Sequence, residues 1–235
     1  MTLDEYTDIS RLILDLEREG RVTRTFRRLD AERQFAVIRA IFDEAVENGP
    51  ESINIKRVAE RAGVAVGSLY QYFGSRDGLL DFSIELAVRA VTSMFEAVRP
   101  YLTALPLREA LEAYGAGGLE WGSEAAGLVR YFARAAYGGD PALTERVVRP
   151  VAETMLATTR ELLAAAHARG ELREGLELES AARVLHALIV ALYDPLLLPY
   201  LNAYFQISGP NHPADRTIQT AIDIYLRGIQ PPLSS

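Results

Sequence analysis

The chain has 235 residues, 49% of them apolar and 24% charged, with 17 glycines and 11 prolines, a composition that fits a globular protein with a buried core and excludes collagen-like or low-complexity architectures. It has no cysteine, which excludes disulfides, thiolate metal sites and a cysteine nucleophile. The net charge of -7 supplies no global attraction to nucleic acid, so any such role rests on local clusters of positive charge. The best apolar stretch, Val184 to Leu198, is interrupted by His186, Asp194 and Pro195 and falls short of the roughly 18 uncharged apolar residues of a membrane span. The opening Met1-Thr-Leu-Asp-Glu lacks the basic start and apolar run of a signal peptide, so a soluble cytoplasmic protein is expected.

Apolar residues recur at helical rather than strand spacing, and the pattern predicts an all-α protein. From Thr7 to Gly20, Ile9, Leu12, Ile13 and Leu16 share one face of a short amphipathic helix. Arg21 to Arg28 reads as a polar, basic connector. Asp30 is the expected cap of a helix that buries Phe35, Ile38, Phe42, Ala45 and Val46 and stops at Gly49-Pro50. Two short helices follow, and a fourth begins after Ser75. Breaks are expected at Pro100 to Pro106, Gly115 to Gly122, Gly138 to Pro141, Gly170 to Gly175 and Ser208 to Pro213. The tail after Gln230 reads as an unfolded end. The expected organisation is an extension over 1–29, a small helical domain over 30–78 and a larger one over 79–230.

The stretch Ile53 to Leu80, INIKRVAERAGVAVGSLYQYFGSRDGLL, reads as a helix-turn-helix. Asn54 caps the first helix, whose Val58 and Ala62 point inward, and Ala59 is small because the second helix crosses close above it. Gly63 supplies a left-handed turn. Val64, Leu69 and Phe73 form the buried side of the second helix, leaving Ala65, Val66, Gly67, Ser68, Tyr70, Gln71 and Tyr72 outward. Small residues let a helix enter a major groove, and tyrosine hydroxyls donate to phosphates. From Ser52 to Arg76 there are four basic residues, Lys56, Arg57, Arg61 and Arg76, to one acid, Glu60. Arg18 to Arg28 adds five arginines against Glu19. Ser75 caps the fourth helix and places Arg76 in its first turn, where a guanidinium and backbone N–H groups grip one phosphate.

The order VAERAGV, GSLYQYF, SRDGLL resembles the N-terminal DNA-binding domain of the TetR family of transcriptional repressors, over residues 31 to 80. The resemblance implies a homodimer, a three-helix DNA-binding domain, and a divergent helical domain that binds a small-molecule inducer and dimerises through its last two helices. It puts base contacts on Val66, Gly67, Ser68 and Tyr70, and phosphate contacts on Asn54, Lys56, Gln71, Tyr72 and Arg76. Ala45 stands where an aromatic is common, Asn54 where Thr is usual and Arg76 where Lys is usual. The implied function is a ligand-released repressor on a palindromic double-stranded operator; the alternative is a helical ligand-binding sensor or adaptor without DNA binding.

Outside the resemblance, Arg21, Arg24, Arg27 and Arg28 read either as a DNA-binding arm or as a solvated connector. Leu185, Leu188, Ile189 and Leu192, with Ile218, Ile222 and Tyr225, form stripes too wide for one small domain to cover, which points to the dimer interface. Tyr114, Trp121, Tyr131, Phe132, Tyr137, Met155, His186 and Tyr193 are the candidates for lining an effector pocket, and their character favours a hydrophobic or amphipathic ligand. His167, His186 and His212 lack metal-ligand spacing, and the glycines of Tyr114 to Gly122 lack the lysine of a phosphate loop. With no catalytic constellation visible, no enzyme activity, cofactor, metal or membrane partner is expected.

Overall fold

A computed structural model describes residues 9–49, 52–124 and 126–231, with the side chains of 121–127 outside that description. Thr7, the expected start of the first helix, and the tail after Pro231 lie outside the described residues. Among the described residues the chain is helical, with no strand and one isolated bridge between Gly209 and His212. The fold class is all-α, as the periodicity predicts. The chain divides into two compact units: Met1–Met94 with Ala125–Val151, and Phe95–Glu124 with Ala152–Ser235.

The first unit opens with α1 (Ile9–Arg18), whose Ile9, Ile13 and Leu16 are buried. The segment expected to be a polar connector is folded instead. It holds one helical turn, α2 (Arg24–Arg27), and its Val22 and Phe26 are buried. Their spacing of four residues gives one turn an apolar side, and the arginines occupy the rest. Helix α3 (Ala31–Asn48) starts at Asp30, whose carboxylate accepts the Arg33 N–H at 2.9 Å. Then come α4 (Ile55–Ala62), α5 (Val66–Phe73) and α6 (Arg76–Ala104). Later in the chain, α8 (Ala126–Gly138) returns to α3, where Tyr131 packs edge-on against Phe42 at 5.4 Å. Asp140 caps α9 (Pro141–Leu143), and a π-helical turn over Thr144–Val148 leads into α10 (Arg149–Ala168).

Of the expected breaks, the one at Pro100 to Pro106 narrows to Leu105 and Pro106, and the one at Gly115 to Gly122 is absent. Helix α6 continues through Pro100 to Ala104, because Pro100 is exposed while Leu102, beyond it, is buried. An internal proline costs about 3 kcal/mol, and the long helix outweighs it. Helix α7 (Leu107–Glu124) likewise runs through Gly115, Gly117, Gly118 and Gly122. Each glycine costs about 1 kcal/mol relative to alanine, and Leu107, Ala110, Leu111 and Tyr114 hold the helix by burial.

In the second unit α7 packs with α11 (Leu178–Leu197) and α13 (Ala214–Ile229), with α12 (Asn202–Phe205) between the last two. The stripes on α11 and α13 are not left for a partner to cover. Leu185, Ile189, Leu192, Ile218, Ile222 and Tyr225 are all buried within the chain, because α7 supplies the third wall that a two-helix reading omits. The Tyr225 hydroxyl donates to the Ala181 carbonyl at 2.8 Å, and Arg108 pairs with Asp223 at 2.6 Å. What stays outward is Val184, 52% exposed, and Ile224, 67% exposed, with Leu188 half-buried. By length and composition α11 is long and apolar enough to cross a bilayer despite His186, Asp194 and Pro195, but its inner residues are core of this unit.

Candidate nucleic-acid interface

Helices α4 and α5 form the helix-turn-helix from local signals. The Asn54 side-chain oxygen accepts the Lys56 N–H at 3.0 Å and starts α4, which buries Ile55, Val58 and Ala59. Ala62, expected inward, is half-buried. Gly63 adopts φ +66°, a left-handed conformation open to glycine and costly for residues with a Cβ. Its turn closes through Gly63 N–H to Glu60 (3.2 Å) and Val64 N–H to Ala59 (3.0 Å). Helix α5 then buries Leu69 and Phe73 and presents Gly67, Gln71 and Tyr70, the last 47% exposed. Val66 and Ser68 at its N-terminal end are half-buried.

Tyr72 departs from the expected outward position. It is 7% exposed, its ring 5.5 Å from Phe26 and 6.1 Å from Phe73. The reason lies outside the motif: Phe26 of the extension packs on Tyr72, Phe73 and Phe82, with centroids 5.3 to 5.5 Å away.

The extension also completes the C-terminus of α5. A helix leaves its last four carbonyls without intrahelical partners. Those of Tyr70 and Phe73 accept from the Gly74 and Ser75 N–H groups at 2.8 and 2.9 Å. Those of Gln71 and Tyr72 accept from Thr23, through its hydroxyl at 2.8 Å and its N–H at 2.9 Å. Thr23 precedes α2 yet makes no side-chain cap to it. The sequence signal for this docking is Val22 and Phe26, two apolar residues four apart in a basic run that otherwise reads as a connector.

The charge distribution differs from the sequence tally. Arg61 forms a two-pronged hydrogen bond to the Glu47 carboxylate and lies 3.5 Å from Glu44. That bond holds the Glu47 carboxyl below its ordinary pKa. Arg57 hydrogen-bonds Asn48 at 3.3 Å and lies 3.9 Å from Glu44, whose buried carboxylate oxygens have no hydrogen bond among the described residues. Two of the four basic residues of the motif are thus compensated by acids of α3. Ser75 caps α6 as expected, accepting the Gly78 N–H at 2.9 Å. The Arg76 Nε donates to the Ile53 carbonyl at 3.0 Å, so this side chain, expected to extend to phosphate, is tethered to the start of the motif. Lys56 is exposed and has no ion pair among the described residues.

The four extension arginines separate into two pairs. Arg21 lies 3.7 Å from Asp81, and Arg27 hydrogen-bonds Glu17. Arg24 and Arg28 are exposed, without an ion pair among the described residues.

The candidate effector residues fall into both units. Tyr131, Phe132 and Tyr137 belong to the first, where burial pushes the Tyr131 hydroxyl up to about 12 and Tyr137 remains exposed. Tyr114, Met155, His186 and Tyr193 belong to the second; the Trp121 side chain lies outside the described residues. Tyr114 is buried with its ring 5.9 Å from Phe95, and burial raises its hydroxyl pKa. His186 Nδ1 is buried without a partner among the described residues, and desolvation lowers its pKa. Tyr193 lines a small apolar cavity of 20 Å³ with Leu111, Leu188 and Ala221, room for about one water.

A short helix with a small-residue entry, set by a left-handed glycine turn across a capped helix, is the arrangement of a helix-turn-helix that reads double-stranded DNA. Residues 37–81 match the sequence profile of bacterial regulatory proteins, tetR family. The HTH-type transcriptional repressor KstR of Rhodococcus jostii (strain RHA1) is 37% identical over 67 residues, 28% of this chain and 28% of that protein. A TetR family transcriptional regulator from Chloroflexus aurantiacus J-10-fl superposes with a TM-score of 0.59 at 24% identity, over 89% of this chain and 99% of that one. SmeT, the repressor of the Stenotrophomonas maltophilia multidrug efflux pump SmeDEF, does so in its triclosan complex with a TM-score of 0.63 at 20% identity, over 87% and 94%. The chain carries the N-terminal helix-turn-helix domain of the TetR family of transcriptional regulators.

Proposed function

We propose that the protein is a cytoplasmic, homodimeric transcriptional repressor that binds a palindromic operator and is released by a small hydrophobic ligand, and that it is not an enzyme. The observation that carries this reading is the exposed face of α5 behind the Gly63 turn. In it Val66, Gly67, Ser68 and Tyr70 meet base edges, while Asn54, Lys56, Gln71 and Arg76 meet phosphates. Tyr72, its ring buried, reaches a phosphate only through its hydroxyl edge. Two such helices, one per subunit, enter successive major grooves about 34 to 36 Å apart, which makes the operator an approximate palindrome.

The second unit is the place for the ligand and the subunit contact. Support for a hydrophobic ligand comes from the structure of SmeT with triclosan and from the apolar lining at Tyr193, where the 20 Å³ cavity must widen to admit one. For the subunit contact, the outward Val184 and Ile224 on α11 and α13 replace the buried stripes as the candidate surface. Ligand and operator oppose each other by linkage, so a ligand that weakens DNA binding is itself weakened by DNA to the same factor.

The test is selection of bound sequences from random double-stranded DNA by the purified protein. A recovered palindrome, bound by a dimer in sedimentation, is expected; Ser68→Arg, which puts a long side chain into the small-residue entry of α5, is expected to abolish that binding while the helical spectrum stays. A folded protein that enriches no sequence would overturn the reading in favour of a sensor or adaptor.

A further inference from the structure

The four extension arginines, alike in sequence, are not alike in the fold. Arg21 and Arg27 are engaged with Asp81 and Glu17, whereas Arg24 and Arg28 stand exposed, one helical turn apart, with the Arg28 N–H bonded to the Arg24 carbonyl at 3.1 Å. Arg24 follows directly on Thr23, which holds two carbonyls of the last turn of α5. Two residues later the buried Phe26 packs against Tyr72 and Phe73 of the same helix. Behind them Gln34 donates from its amide to the Phe26 and Arg27 carbonyls at 3.2 and 2.9 Å, fixing the exit of the turn onto α3. The segment is therefore bolted to α5 at one end and to α3 at the other. A basic arm that had to be ordered on binding would lose backbone freedom at each residue; this one is ordered already.

From this placement we infer that residues 22–28 are a fixed part of the DNA-reading surface, in which Arg24 and Arg28 grip the sugar-phosphate backbone beside the stretch read by α5. The inference rests on the proposal that α5 enters DNA. Thr23 and Phe26 act as positioning residues, and the two arginines supply the charge. The occupant is a run of phosphates, because two exposed guanidinium groups one turn apart offer forked donors and no acceptor. Arg57 and Arg61 of the first motif helix are paired with Glu44 and Glu47, which leaves Lys56 and the extension's Arg24 and Arg28 as uncompensated charge near α5 among the described residues.

The test compares the full-length protein with Arg24→Ala/Arg28→Ala and with Arg21→Ala, each titrated onto one duplex recovered by selection from random DNA, across a fourfold range of salt. Each lost phosphate contact lowers the slope of log affinity against log salt by about 0.9. The double variant is expected to have a slope shallower by about 1.8, so that the wild type loses roughly 12-fold more affinity over that range. Arg21→Ala, whose guanidinium faces Asp81, is expected to keep the wild-type slope. Thr23→Val is expected to weaken binding while leaving the slope in place, since it removes a positioning hydroxyl and no charge. A double variant with unchanged affinity and slope, while Ser68→Arg still abolishes binding, overturns this inference and leaves the function intact. An Arg21→Ala slope as shallow as that of the double variant also overturns it, because the arginines then act as a diffuse cloud. Failure of the wild type to bind any duplex overturns both.

Discussion

Phe26→Ala tests whether the extension belongs to the folded DNA-binding unit. The ring is fully buried and touches three other aromatic rings, Tyr72, Phe73 and Phe82, all within 5.5 Å between centroids. Truncating a buried phenylalanine costs about 3 to 5 kcal/mol, from lost transfer energy and the cavity left behind. The walls of that cavity are the rings of Tyr72, Phe73 and Phe82, which meet Phe26 at 47 to 74°. For a chain of this size each kcal/mol moves the melting temperature by about 2 to 4 °C, so the shift should lie between roughly 6 and 20 °C. The assay is thermal unfolding followed by circular dichroism at fixed protein concentration, since association would itself raise the melting temperature. Hydrogen exchange supplies a local readout: the Thr23 amide, bonded to the Tyr72 carbonyl, should exchange slowly in the wild type and fast in the variant. A melting temperature within about 2 °C of wild type, with Thr23 still protected, would refute the claim that Phe26 fastens the extension to α5.

Gly115→Ala should destabilise the second unit by about 1 to 3 kcal/mol, because a Cβ at that position would fall 1.7 Å from the Tyr193 hydroxyl oxygen. In a double-mutant cycle measured by urea unfolding, Tyr193→Ala should remove most of that penalty; an undiminished penalty would refute the contact. The Glu179 carboxyl, hydrogen-bonded by Arg160 at 2.6 and 2.7 Å and paired with Arg183, should titrate near about 2, down from 4.5, in a carbon-detected NMR titration. Since the folded value is the lower one, its contribution to stability is fully present above pH 4.5 and is lost as pH falls through about 2. A midpoint at the ordinary value would show that the Arg160 contact does not persist in solution.

What was legible in the sequence was what is local. Asp30, Asn54 and Ser75 each accept a backbone N–H two or three residues ahead, and Gly63 turns the chain within four residues, so type and spacing suffice to place them. The all-α class followed from periodicity for the same reason. What was not legible depends on distant partners. Tyr72 looks outward on a helical wheel until Phe26, forty-six positions earlier, lies against it. Gly115 looks like a helix break until Tyr193, far along the chain, fills the space its missing Cβ leaves. The stripes of α11 and α13 look unpartnered until α7 is placed against both. Arg57 and Arg61 look like free charge because Glu44 and Glu47, which compensate them, sit outside the motif.

The buried carboxylate of Glu44 and its neighbour Glu47 have a consequence for how the proposed repressor would distribute itself over DNA. Loose adhesion to arbitrary DNA scales with the number of phosphates a surface neutralises, and these two acids withdraw two arginines from that number in a protein that is already acidic overall. The chromosome offers millions of wrong sites, and a clingy regulator is diluted across them. For the repressor proposed above, a surface with few idle cations would leave less of its population there, so fewer copies would suffice to occupy one operator.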